Sequence, residues 1–261
     1  MTAIDHFLAA MAEDGFAIVP AVFVPYKVDA MLAGIERAFR DQPEAVAIRS
    51  GGGAVFAARN VLALWPEAES DWREPPLPEF FAALLGSGFG LVRSLFFDKP
   101  PERNWALPWH RDLTVAVRDN RVASRAFCKP TVKAGVPHVE APRELLERMV
   151  TIRIHLDEVT EENGPLKVIP GSHRIGEEPA ASGGTVRAIL AGRGDVLLMR
   201  PLLVHSSGHA NPGCTRRRRI LHLEFAASAK LPDGYEWHDF RSERAPPFVV
   251  TRAGAKSSLV V

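Results

Sequence analysis

Between Leu91 and Phe225 the chain is a succession of short strand-like runs, each closed by glycine, proline, asparagine or aspartate. Leu91 to Phe97, Trp105 to Trp109, Leu113 to Val117, Val150 to Leu156, Leu166 to Ile169, Val196 to Met199 and Ile220 to Phe225 have the aliphatic and aromatic content of strands. Short strands with turn punctuation predict a sandwich or a closed double sheet, and argue against alternating βαβ units. At 261 residues one such domain buries a sizeable core, so 1–261 is read as a single domain.

The first quarter has another character. Residues 2–13 predict a short helix ended at Asp14-Gly15, and Phe16 to Val19 a strand stopped by Pro20. From Pro25, apolar residues fall at Val28, Met31, Leu32, Ile35 and Phe39. That spacing is one helical stripe, with proline suited to its first turn. Gly51-Gly52-Gly53 marks a loop and Leu77 to Leu85 a further helix. The stretch 119–149 breaks the strand pattern. It is basic and dotted with proline and glycine, with a small helix expected near Pro142 to Met149. It reads as an insertion over one end of the barrel, a candidate lid whose Arg118, Arg121, Arg125, Lys129 and Lys133 suggest an anionic substrate.

Two strands alternate cleanly. Val150, Ile152, Ile154 and Leu156 share one face of their strand, Thr151, Arg153, His155 and Asp157 the other. Arg218, Ile220, His222 and Glu224 oppose Arg219, Leu221, Leu223 and Phe225. Alternation leaves open which polar face looks inward.

Lys plus Arg number 32 against 31 acids, a net charge of +1. That balance gives no global attraction to nucleic acid or to acidic membrane surfaces. Two cysteines fit a reducing compartment. The N-terminus lacks the basic and apolar regions of a signal peptide, and no run reaches the roughly 18 apolar residues of a membrane span. The expectation is a cytoplasmic protein without membrane or nucleic-acid partners.

The chemistry concentrates in Trp109-His110-Arg111-Asp112. In a strand, residues i and i+2 point to one side, so His110 and Asp112 can aim a nitrogen and a carboxylate oxygen at one point. With one more imidazole they make a facial triad, which leaves positions open for a chelating co-substrate and dioxygen. The helical His-Glu-x-x-His spacing of zinc hydrolases is absent. Of nine histidines, His205 is the best third ligand, at the end of a strand-and-break segment and beside small residues. His209 is its nearest rival. His155 and His222 lie on polar strand faces, and His138 in the insertion is a candidate substrate contact.

Three segments together resemble the phytanoyl-CoA dioxygenase family of Fe(II)/2-oxoglutarate oxygenases. They are Trp109 to Asp112; Leu156 to Arg174, with its Asn163-Gly164-Pro165-Leu166 and Pro170-Gly171-Ser172-His173; and His205-Ser206-Ser207 followed by Arg216 to Arg219 and Ile220 to Phe225. Asp14 to Pro20 resembles that family's opening, and the likeness covers roughly residues 12–228. It implies a mainly β protein, a double-stranded β-helix (jelly roll) with N-terminal and flanking helices. It also implies Fe(II) held by His110, Asp112 and His205, with 2-oxoglutarate and O2 as co-substrates. A small molecule would be hydroxylated, with release of succinate and CO2. A true carboxylate at Asp112 argues against the related halogenases. The likeness puts the far carboxylate of 2-oxoglutarate on Arg218 and Ser207, and Arg153 where some relatives contact the co-substrate. A planar, permanently charged fork suits a buried carboxylate, but alternation also allows Arg216 beside Arg218, or Arg217 with Arg219. The Pro170 to His173 corner is expected to be structural. The alternative reading is a cupin-like metal-binding protein or sensor without 2-oxoglutarate turnover.

Overall fold

The computed structural model describes residues 4–42, 48–51, 54–101, 105–176 and 184–242. Helix α1 (Asp5–Glu13), strand β1 (Phe16–Val19) and helix α2 (Pro25–Asp41) open the chain. Strands β2 (Ile48–Gly51) and β3 (Ala54–Arg59) and helices α3 (Val61–Leu64) and α4 (Leu77–Leu85) follow. Next come β4 (Gly90–Lys99), β5 (Leu107–His110), β6 (Thr114–Ala116), β7 (Cys128–Lys133), β8 (Val136–Glu140) and the short α5 (Arg143–Leu146). The chain continues through β9 (Met149–His155), β10 (Leu166–Val168), β11 (Arg187–Ile189) and β12 (Val196–Met199). Strands β13 (His205–Ser207), β14 (Arg218–Ala226) and β15 (Arg241–Ser242) close it.

Among the described residues these strands form three antiparallel sheets. The major sheet runs β1-β12-β9-β14-β4-β3-β2, with β15 added on β4; the minor sheet runs β11-β10-β13-β5; a third runs β6-β8-β7. A buried cluster of Phe16, Leu197 and Met199 from the major sheet with Leu166, Val168 and Ile189 from the minor one joins the two. This is the expected jelly roll.

The alternation of β9 and β14 now acquires a direction. Val150, Ile152, Ile154, Leu221, Leu223 and Phe225 join the cluster that holds Met31 and Ile35 of α2 and Phe80 and Phe81 of α4. The rings of Phe81 and Phe225 stack at 4.0 Å. Each buried aromatic of this kind contributes roughly 1.5–3 kcal/mol. The helices thus cover the apolar face, and the polar face turns inward: Arg153, His155, Arg218, His222 and Glu224 are all buried.

The stretch 119–149 differs from expectation. It carries β7 and β8, and its helix is one short turn, with Met149 already in β9. The β7–β8 turn places Ala134 and Gly135 at φ 50 and 76, which matches the twist of a two-residue hairpin. The expected Gly51 to Gly53 loop lies partly in β2 and partly outside the described residues.

The Pro170 to His173 corner is a packed joint. Gly171 has φ +76 and donates its N–H to the Asp14 carbonyl at 2.9 Å. A Cβ on Gly15 would lie 2.4 Å from Nδ1 of His173, so this corner requires glycine there. No helix of the described residues is long and apolar enough to cross a membrane.

Candidate metal centre

Strands β5 and β13 pair with His110 directly opposite His205, and the two rings stand 4.2 Å apart. Asp112 reaches the same point by a route other than the one expected. Strand β5 ends at His110, and beyond it the Asp112 N–H donates to the Pro201 carbonyl at 2.9 Å. Its carboxylate oxygens lie 3.9 Å from Nε2 of His110 and 3.7 Å from Nε2 of His205. One donor atom from each of the three residues falls within 4.8 Å of the others.

The second nitrogen of each imidazole fixes its tautomer. Nδ1 of His110 contacts the Pro108 carbonyl at 2.7 Å, and Nδ1 of His205 the Leu203 carbonyl at 2.9 Å. A carbonyl only accepts, so each Nδ1 carries the hydrogen and each Nε2 keeps a lone pair. Burial, outweighing the pull of Asp112, pushes His205 down to about 4. Burial alone would raise Asp112, but His205, His222, Arg93 and His110 bring it to about 2. Two imidazoles that bring Nε2 to one point and a carboxylate are the donor set that suits Fe(II) with open coordination positions.

Arg111, between two of these residues, fastens the site to the rest of the fold. Its guanidinium donates to the carbonyls of Leu202, Ser172 and Ile175 at 2.9, 3.2 and 3.0 Å.

A cationic cluster lies beside the triad. Arg218 is buried and donates to Ser207 Oγ at 3.0 Å. Lys99, its partner across β14 and β4, donates to Ser207 Oγ at 3.3 Å and to the Gly208 carbonyl at 2.6 Å. Arg153 is also buried and shares with Arg218, Ser207 and the triad a cavity of about 60 Å³. Among the described residues no acid pairs with Arg218, whose pKa falls to about 9 through burial and then the like charge of Arg153. Burial also lowers Arg153, to about 10. Among the described residues the Nε of Arg218 is buried without a hydrogen-bond partner.

The rest of the arginine run points elsewhere. Arg216 pairs with Glu158 at 2.6 Å on the surface, Arg217 with Asp98, and Arg219 with Asp157 at 2.8 Å. Arg216, expected beside Arg218, is therefore not brought to the cavity. His209, His6 and His238 are exposed. His138 is buried on β8 with Nδ1 at 2.9 Å from the Val136 carbonyl, and burial lowers it to about 4.

Sequence reasoning missed two members of this region. Lys99 lies beyond the expected strand Leu91 to Phe97, and only the extension of β4 to Lys99 sets it across from Arg218. Arg93, in an otherwise apolar run, was the visible signal; it pairs with Glu224, which also accepts from Nε2 of His222 at 3.0 Å. That buried chain runs from the smaller cavity, which His222 lines, to a larger one of about 530 Å³ lined by Arg93. His110 and Asp112 line both.

Residues 11–218 match the phytanoyl-CoA dioxygenase (PhyH) family. The chain is 26% identical to the L-proline trans-4-hydroxylase of Streptomyces griseoviridis, over 92% of this chain and 89% of that one. It is 29% identical to the ectoine dioxygenase of Bordetella bronchiseptica over 64% of this chain, which spans half of that relative's length. In fold it is similar to EctD from S. alaskensis, crystallised with 2-oxoglutarate and 5-hydroxyectoine, with a TM-score of 0.64, 22% identity, and coverage of 88% of this chain and 77% of that one. The matched span takes in the facing histidines, Asp112, the packed corner and the buried arginine, and the chain belongs to the phytanoyl-CoA dioxygenase family.

Proposed function

We propose that this non-heme Fe(II)- and 2-oxoglutarate-dependent dioxygenase hydroxylates a small molecule bound in the larger cavity, with His110, Asp112 and His205 as its iron ligands. Bound iron supplies the activation of O2 that couples decarboxylation of 2-oxoglutarate, to succinate and CO2, with oxidation of a substrate C–H bond.

The protein's own contribution is placement and charge. His110 and His205 present lone pairs because backbone carbonyls hold their other nitrogens, and Asp112 stays ionised among positive neighbours. Arg218, with Ser207 and Lys99, receives the far carboxylate of 2-oxoglutarate, while Arg153 adds a second positive charge in the same recess. The observation that carries this reading is the buried Arg218: alone in its run it has no acid partner among the described residues, and it donates to Ser207 in the cavity that contains the triad. A buried cation without a counter-charge is costly, and a dicarboxylic acid supplies one. The L-proline and ectoine activities named for the relatives support a small-molecule substrate. An anionic one is our reading of the basic residues at the cavity.

The test is turnover of labelled 2-oxoglutarate with Fe(II) and ascorbate across a panel of amino acids and small carboxylic acids. Succinate above a His110→Ala control is the expected result. An anaerobic Fe(II) protein that shows no metal-to-ligand charge-transfer band with 2-oxoglutarate would sink the reading in favour of a metal-binding protein without turnover.

A further inference from the structure

Besides His110 and Asp112, the larger cavity is lined by four cations, Arg59, Arg93, Arg111 and Lys133, and by the acid Glu140; Arg111 is held by backbone carbonyls. Lys133, at the end of β7, is half-buried in the cavity wall and donates to Thr114 Oγ1 of β6 at 2.9 Å. Neighbouring cations are occupied at the surface: Arg118 with Glu236 at 2.6 Å, Arg121 with Asp119 at 2.9 Å, and Lys129 with Glu140 at 2.8 Å. Arg93 is met by Glu224. Among the described residues Lys133 has no such ion pair, and its only hydrogen-bond partner is a neutral hydroxyl. Burial, and then the like charges of Arg93 and Arg59, hold its pKa below the ordinary lysine value.

Lys133 Nζ and Thr114 Oγ1 lie 2.9 Å apart, and both residues line the cavity. An ammonium has three N–H bonds, of which Thr114 accepts one. The threonine oxygen takes that hydrogen, which leaves its own O–H to donate to the same ligand. Two donors, one of them charged, suit a carboxylate. The same cavity is walled by Phe56, Leu95, Phe97, Trp105, Leu107 and Leu113. Its volume, about 530 Å³, lies in the range that encloses most of a small organic ligand.

We infer that Lys133 and Thr114 anchor a carboxylate of the substrate, and that the substrate is a small carboxylic acid with a largely apolar body. The inference rests on the oxygenase reading, because His110 and Asp112 open onto this same cavity. Fixing one end of the molecule restricts which C–H bond faces the triad, so the pair sets regiochemistry as well as affinity.

The experiment uses the anaerobic Fe(II)–2-oxoglutarate protein titrated by calorimetry with L-proline, cyclohexanecarboxylate and 3-phenylpropionate, each against its primary amide. At least one acid is expected to bind about tenfold or more tightly than its own amide, the effect of a hydrogen-bonded charge. Lys133→Met should abolish that preference and Lys133→Arg should keep most of it. Arg121→Met, a cation paired at the surface, should behave like the wild type. Amides that bind as well as acids, no binding by any acid, or a Met variant that keeps the preference would each overturn the anchor. A separate titration with 2-oxoglutarate alone tells the failures apart. If it still binds while the acid preference is absent, only the anchor falls; if it does not bind, the oxygenase reading falls first.

Discussion

The hydroxyl of Ser172 accepts the backbone N–H of Val204 at 2.9 Å and donates to the Ile169 carbonyl at 2.6 Å. The packed corner therefore grips the residue next to His205. Ser172→Ala leaves that buried N–H without a partner, at a cost of about 1–3 kcal/mol. Thermal unfolding should show a Tm lower by several degrees, and Fe(II) affinity should fall with it because His205 loses its support. An unchanged Fe(II) titration would mean the corner does not position the histidine.

Replacement of Arg218 tests the cluster beside the triad. Arg218→Met should raise the Kd for 2-oxoglutarate by about a hundredfold, as expected when one partner of a buried charge pair is truncated. Arg216→Met, whose side chain pairs with Glu158 at the surface, should leave it within a factor of about two, in line with exposed ion pairs. Equal effects in the two variants would refute the assignment.

The Lys99 ammonium gives 2-oxoglutarate binding a pH dependence. Burial, then Arg218 on β14 and Arg153 on β9, bring it from the ordinary 10.5 to about 7. The Trp105 ring lies 4.8 Å away, and the adjacent Asp98 is engaged by Arg217. The empty protein loses this proton as pH rises through about 7, and a dianion draws it back. Affinity should be flat below that pH and weaken above it by at most about tenfold per pH unit. Lys99→Met should flatten the profile in calorimetric titrations; a profile of the same shape would show that another group titrates.

Glu224 is buried between Arg93 and His222. Removal of its charge in Glu224→Gln leaves the Arg93 guanidinium uncompensated in the interior, a loss of roughly 3–5 kcal/mol. At roughly 2–4 °C per kcal/mol for a chain of this size, Tm should drop by about 10 °C. A loss below about 1 kcal/mol would mean that water reaches the pair.

Metal binding should itself stabilise the fold. Fe(II) at a hundredfold excess over its Kd adds about 2.7 kcal/mol, read as an anaerobic rise in Tm that a chelator reverses. His205→Ala should abolish the rise, and a rise that persists would place the ion elsewhere.

Much of this was legible in the amino-acid order, for identifiable reasons. The stripe from Val28 to Ile35 and the alternation of β9 and β14 are local patterns, and both lie as read. The direction of the polar faces was not legible, because inside and outside are defined only by the sheet that packs opposite. Lys99 was hidden for the same reason: its importance comes from sitting across from Arg218. Strand β7 escaped notice because Cys128 to Lys133 is exposed along nearly its whole length, so burial leaves no apolar alternation in its sequence. Asp112 reached the expected place by a bond to Pro201, a contact that strand spacing cannot reveal.

The acids around the four arginines also act as a register lock. Asp98 and Asp157 hold the guanidinium groups on either side of Arg218 on the helix-facing side of β14. A slip of β14 by one residue would turn every side chain to the opposite face. Arg217 or Arg219 would then enter beside Ser207, and an aspartate would be stranded without its counter-charge. The sequence thus selects which arginine goes inside by tethering its two neighbours outside.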